Sequence, residues 1–155
     1  MASAVRAIVI PLATVVLVSC AHAPAPLPAA ARTARLYPAN DHARPGGELA
    51  VQFTDDGSGH GTIEFTLPYG EPVKGEYSEV VGSPVGFGSI YRAVFGPTRA
   101  TTTSSSVAPR GNPGTVLAFG AQGTRVNCEF YRDRASGHGS GGCQTSTGFL
   151  YRLQY

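Results

Sequence analysis

From residue 48 onward the chain alternates apolar and polar positions with the two-residue period of an extended strand. Leu49, Val51 and Phe53 alternate with Ala50, Gln52 and Thr54, and then Ile63, Phe65 and Leu67 alternate with Thr62, Glu64 and Thr66. Between the two runs lies Asp55-Asp56-Gly57-Ser58-Gly59-His60-Gly61, which holds no apolar side chain. The pattern predicts a hairpin with a long glycine-rich loop. Pro68-Tyr69-Gly70-Glu71-Pro72 makes a turn into a third strand over 73–77. In 87–95, Phe87, Ser89, Tyr91, Ala93 and Phe95 fall on one face and Ile90 and Val94 on the other. Apolar residues on both faces predict a central strand. Gly82-Ser83-Pro84 breaks the chain before it. Segment 96–114 has no apolar period and carries Thr101-Thr102-Thr103-Ser104-Ser105-Ser106 with Pro109 and Pro113, so it reads as a surface loop or ribbon. Strands resume over 115–119, 125–131, 142–145 and 149–155.

The pattern repeats. Gly59-His60-Gly61 recurs as Gly137-His138-Gly139, and at the same offset Asp55 matches Asp133, Gly70 matches Gly148 and Tyr77 matches Tyr155. Upstream, after a one-residue gap, Val51-Gln52-Phe53 aligns with Cys128-Glu129-Phe130. Segments 48–77 and 126–155 are therefore read as two related β-units, neither of which can bury its apolar face alone. In this alignment Val51 and Phe65 stand where the second half has Cys128 and Cys143. If the cysteines bond across a hairpin, Val51 and Phe65 must touch across the equivalent one. The resulting fold class is all-β, a mostly antiparallel small barrel or sandwich of two related halves.

The amino-terminal end has a different pattern. Arg6 precedes an apolar run over 7–18 that is too short to span a bilayer and is interrupted by Pro11, as in a signal peptide rather than a membrane helix. Leu17-Val18-Ser19-Cys20 then resembles the lipobox of bacterial lipoproteins. The resemblance implies cleavage of residues 1–19, a diacylglyceryl thioether on Cys20 and an acylated amino group such as palmitate supplies. Three acyl chains, at about 0.8 kcal/mol per buried CH₂, make a stable membrane anchor. Ala21 follows the cysteine where Asp would favour retention, which implies the outer membrane of a Gram-negative bacterium. Residues 20–35 are rich in Pro and Ala and read as a stiff polyproline spacer containing His22, with a single β domain over 36–155. With Cys20 lipidated, Cys128 and Cys143 remain. In the oxidising envelope they read most simply as a disulfide, with free thiols or a metal site as the alternatives.

Composition narrows the function classes. Twelve basic residues against ten acidic ones leave no electrostatic footprint for nucleic acid. There is no Walker motif, His-Glu-x-x-His or Gly-x-Ser-x-Gly, and no motif that calls for a cofactor. Residues 137–142 match G-x-G-x-x-G, but a strand follows where a dinucleotide site needs a helix. His60 and His138, with Asp55 and Asp133, are the candidate binding residues, since imidazole titrates near neutrality and ligates metals. Neither loop supplies the three or four ligands zinc needs, so the simpler reading is that they shape the loops. Glu64, Glu76 and Glu129 lie out of phase with the apolar positions and are expected to face solvent. Arg92, Arg132 and Arg152 follow Tyr91, Tyr131 and Tyr151, which reads either as an aromatic–arginine surface for a polymer or protein partner or as ordinary strand filling.

The segment from Cys128-Glu129-Phe130-Tyr131 to Gly148-Phe149-Leu150-Tyr151-Arg152-Leu153-Gln154-Tyr155, with Leu36-Tyr37-Pro38 at the start of the domain, resembles small proteobacterial envelope lipoproteins without assigned activity. That resemblance brings no catalytic residues. The expectation is a lipid-anchored envelope protein whose β domain is structural or partner-binding, with the membrane engaged through the lipid on Cys20. The alternative is an envelope hydrolase or metal-handling protein that uses His60 and His138.

Overall fold

The computed structural model describes residues 30–80, 87–96, 111–133 and 135–155. The signal segment, the lipobox with Cys20, His22 and the Ser/Thr run lie outside the described residues. Eight strands form a closed barrel in which each pairs antiparallel with the next and the last returns to the first. They are β1 (Ala30–Pro38), β2 (Leu49–Asp55), β3 (His60–Thr66), β4 (Pro72–Glu79), β5 (Asn112–Gly120), β6 (Arg125–Arg132), β7 (Gly139–Thr145) and β8 (Leu150–Gln154). Closure makes this a barrel, not a sandwich, and pairs edges that would otherwise recruit other strands.

Alternation sets the inside. Val51, Phe65, Val73, Val116, Ala118, Val126, Cys128, Cys143, Tyr151 and Leu153 are buried, while most of their neighbours along the strands face outward. An eight-stranded barrel is just wide enough for such side chains to fill it. Cys128 and Cys143 face each other across β6 and β7 and form a disulfide that links residues 15 apart. Chain entropy alone makes a loop of that size worth about 3 kcal/mol.

The two halves correspond strand for strand in their pairing. Val51 pairs with Phe65 across β2 and β3, as Cys128 pairs with Cys143 across β6 and β7. Gly61 pairs with Tyr77, and Gly139 exchanges both main-chain hydrogen bonds with Tyr155. In each half a Cβ on that glycine would collide with the tyrosine ring opposite, so glycine is required for the ring to lie across the strand.

The register corrects one pairing expected from the repeat. Asp56 N–H bonds His60 C=O, as Asp133 N–H bonds His138 C=O. Asp133 therefore corresponds to Asp56. Asp55 corresponds to Arg132, because the one-residue gap falls inside the loop and not before it.

Three further expectations change. Strand β1 begins at Ala30, so the barrel takes in six residues assigned to the spacer; no proline lies between Pro28 and Pro38 to prevent their pairing with β2. Strand β5 begins at Asn112, within the segment read as loop, and residues 97–110 lie outside the described residues. The expected central strand over 87–95 is instead a short helix, α1 (Ser89–Phe95), on the outside of the barrel against β6, β7 and β8. Its apolar pairs are Ile90/Val94 and Tyr91/Phe95, each four apart, a helical spacing that also puts apolar residues on both faces of a notional strand. Gly142 leaves room for Val94 to approach β7.

The far end of the barrel is closed by its own turns. The buried Glu71 carboxylate accepts Gln122 N–H at 2.8 Å and the Thr124 hydroxyl at 2.7 Å, tying the β3–β4 turn to the β5–β6 turn. Asn40 donates to Gly148 C=O and accepts from Leu150 N–H, and His42 meets Phe149 edge-on.

Candidate binding site at the barrel mouth

The opposite end is the mouth. It gathers the β2–β3 and β6–β7 loops, the start of β1 and Tyr155. Just inside it the inward phase of three strands turns from apolar to charged: Asp55 ends the run of Val51 and Phe53, Glu79 that of Val73 and Tyr77, and Arg132 that of Cys128 and Phe130. Arg132 Nη1 donates to Asp55 Oδ2 at 2.8 Å and to Glu79 Oε1 at 2.9 Å. All three side chains are nearly out of water. Asp55 Oδ1 also takes Gly57 N–H, and Glu79 Oε2 takes Asn112 Nδ2.

Under this layer four rings form a closed circuit. Phe53 meets Tyr77, Tyr77 meets Phe130, Phe130 meets Tyr155 and Tyr155 meets Phe53, all edge-to-face at 5.4–6.2 Å. Phe53 corresponds to Phe130 and Tyr77 to Tyr155, so the circuit is made of two copies of one pair. The space between the rings is about 30 Å³, room for a water molecule or two and far below a metabolite pocket. Tyr77, Tyr155 and Arg132 are among the residues that line it, and the two hydroxyls and Arg132 Nε are buried without a hydrogen-bond partner among the described residues.

The electrostatics of the layer move its groups away from neutrality. Burial would raise the Asp55 carboxyl, but the Gly57 amide and the Arg132 guanidinium outweigh it and hold the group below its usual range. Burial would lower Arg132, and hydrogen bonds to Asp55 and Glu79 reverse that. Burial, with Asp55 nearby, pushes the Tyr77 hydroxyl up to about 12. Burial also raises Tyr155. A general acid or base works best near the ambient pH, and these four groups sit far from it.

The sequence candidates are separated by the fold. His60, the first residue of β3, and His138, in the β6–β7 loop, are both exposed at the mouth, on opposite sides of the eight-stranded ring. Asp55 points inward to Arg132. The Asp56 carboxylate takes the Ser58 amide and hydroxyl, and Asp133 takes the Ala135 amide. Both Asp56 and Asp133 are held below the usual carboxylate range by these bonds. Each Asp thus shapes its own loop, meeting the histidine of that loop through the main chain. Among the described residues, no three His, Cys, Asp or Glu side chains gather as metal ligands would.

Two other expectations are revised. Glu129 does not face solvent: it is buried beneath α1, where its carboxylate accepts the Ile90 and Tyr91 N–H groups at 2.9 and 3.0 Å. These are donors that a helix start leaves unpaired. The arginines do not share one surface either. Arg132 is inside the barrel, and Arg152 lies over the Phe95 ring of α1. Tyr91 of α1 meets Tyr131 of β6 edge-on. The charged layer that sequence reasoning missed, Arg132–Asp55–Glu79, was signalled by three charged residues on apolar phases. No protein-family model, curated relative or solved structure matches the chain.

Proposed function

We propose that the protein is a cell-envelope lipoprotein, anchored through Cys20, whose barrel serves as a non-catalytic structural or partner-binding domain. The observation that carries this reading is the filled lumen. Its space of about 30 Å³ admits no metabolite, and its charged groups Arg132, Asp55 and Glu79 are spent on one another, so recognition falls to the outer surface and edges. The anchor reading rests on Leu17-Val18-Ser19-Cys20 in the sequence. With β1 starting at Ala30, only nine residues separate Cys20 from the barrel. As polyproline II, at about 3.1 Å per residue, they would span roughly 28 Å, which would hold the mouth close to the bilayer. The hydrolase or metal reading would need His60 and His138 to share a site, and the β2–β3 and β6–β7 hairpins that carry them stand on opposite sides of the mouth. Replacing both histidines with Ala tests the choice: partner crosslinking in the envelope persists if the domain is a binding module, and a lost envelope phenotype in a folded variant favours the alternative.

A further inference from the structure

The outer wall of the barrel carries a groove where β1, β8 and α1 meet. It is lined by Tyr37, Pro38 and Ala39, by Val94 of α1, and by Arg152 and Gln154 of β8, around a space of about 410 Å³. That is within the range of ligand sites, about 300–1,000 Å³, which the lumen is not. Leu36, Tyr151 and Leu153 are buried in the barrel, so alternation turns Tyr37 and Arg152 outward. The two are direct cross-strand partners and stand side by side on the wall. Pro38 and Ala39 extend the groove toward the closed end.

Arg152 is the charged group of this groove. Its guanidinium carbon lies 4.9 Å from the centre of the Phe95 ring. That ring belongs to a seated helix, since Glu129 holds the Ile90 and Tyr91 amides and Val94 fits against Gly142. Stacking covers a face of the guanidinium and leaves its N–H donors, which all lie in the plane, free to bond. Arg152 makes no hydrogen bond or ion pair among the described residues. The surroundings offer it no anion. The three bordering elements carry Arg32, Arg35, Arg92 and Arg152 and no acidic residue. Glu48, just before β2, is taken by Arg35.

We propose that this groove binds an acidic segment of a partner protein, taking a side-chain carboxylate on Arg152 and an apolar neighbour of that residue on Pro38, Ala39 and Val94. A pre-oriented guanidinium fork matches the two oxygens of a carboxylate, and such charge-assisted bonds are the strong ones. The apolar half of the lining favours a peptide over a glycan. A sugar ring carries hydroxyls around its edge, and those set against Pro38, Ala39 and Val94 would lose water without gaining a partner. The inference rests on the partner-binding reading and names the surface that performs it.

The test titrates the full chain with two capped dipeptides, acetyl-Leu-Glu-amide and acetyl-Leu-Gln-amide, followed by NMR. The Glu dipeptide should shift the Val94 methyl and Arg152 Nε–H resonances saturably, and the Gln dipeptide should bind at least about tenfold more weakly. Arg152→Gln should erase that preference. Ala39→Trp, at an exposed position that spares the core, should fill the groove and abolish binding of both while leaving Arg152 in place. The proposal is overturned if neither dipeptide gives a saturable shift, if the two bind alike, or if the preference survives either substitution. It is also overturned if glucuronic acid or inorganic phosphate matches the Glu dipeptide, which would make the groove a glycan or general anion site. Envelope crosslinking of the wild-type protein separates this result from the reading beneath it. Adducts without dipeptide shifts would overturn the groove alone, and a lack of adducts would overturn the partner-binding domain whatever the dipeptides show.

Discussion

Asp55 and Arg132 occupy the same position in the two halves of the barrel and form an ion pair with each other at 2.8 Å. A pair of identical residues at these sites would repel or leave polar atoms idle. Divergence to opposite charges lets the mouth close on itself, with Glu79 as a second acceptor for Arg132.

Removing the shared cation should be costly. Arg132→Met leaves two carboxylates without their guanidinium in a nearly dry layer, a loss of about 3–5 kcal/mol. Chemical denaturation at pH 7 should show that loss. It should shrink at low pH, where both carboxyls are protonated.

The correspondence of Val51 and Phe65 with the two cysteines can be tested by chemistry. The register places Val51 directly opposite Phe65, as Cys128 is opposite Cys143. In V51C/F65C a second disulfide should form on air oxidation, visible by intact mass as two hydrogens fewer than in the variant with that pair reduced, and as a free-thiol count under non-reducing conditions unchanged from wild type. Two additional free thiols in the folded, oxidised variant would refute the register.

Much of this was legible in the sequence, and the rest was hidden for identifiable reasons. Strands β2 and β3 followed from alternation because one face of each is buried and the other is largely wet. The repeat exposed the disulfide's counterpart at Val51 and Phe65. Helix α1 was misread because apolar pairs four apart, Ile90/Val94 and Tyr91/Phe95, also satisfy a two-faced strand over so short a span. Glu129 looked solvent-facing because its phase is indeed outward. What buries it is a helix from 40 residues earlier, which local pattern does not reveal. The buried Arg132 layer could have been found by asking why Asp55, Glu79 and Arg132 each sit on an inward phase.

The role of Glu129 gives a local prediction. In Glu129→Ala the Ile90 and Tyr91 amides lose a charged acceptor worth about 2 kcal/mol. At 1.4 kcal/mol per tenfold, amide exchange at Tyr91 should accelerate by roughly thirtyfold. The barrel amides of β2 and β3 should be little changed, because α1 packs against β6, β7 and β8.

Acid should loosen the closed end through Glu71. The Thr124 hydroxyl, then the Gln122 and Thr124 amides, hold its carboxyl below the usual range against the opposing effect of burial. A depressed carboxyl contributes stability that is present above its unfolded value, about 4.3, and is lost as pH falls through the folded value. The melting temperature should therefore drop with pH below about 4. Glu71→Gln should melt lower than wild type at pH 7, with a shallower acid limb, and the two curves should converge at low pH.

The claim that organises the account is that Cys20 carries the protein on a membrane. Cells fed an alkyne fatty acid should yield a labelled mature protein that sediments with membranes and whose first residue, by mass spectrometry, is a lipid-modified Cys20. Cys20→Ala should lose both the label and the membrane fraction. A mature wild-type protein that is unlabelled, or that starts at another residue, would contradict the account.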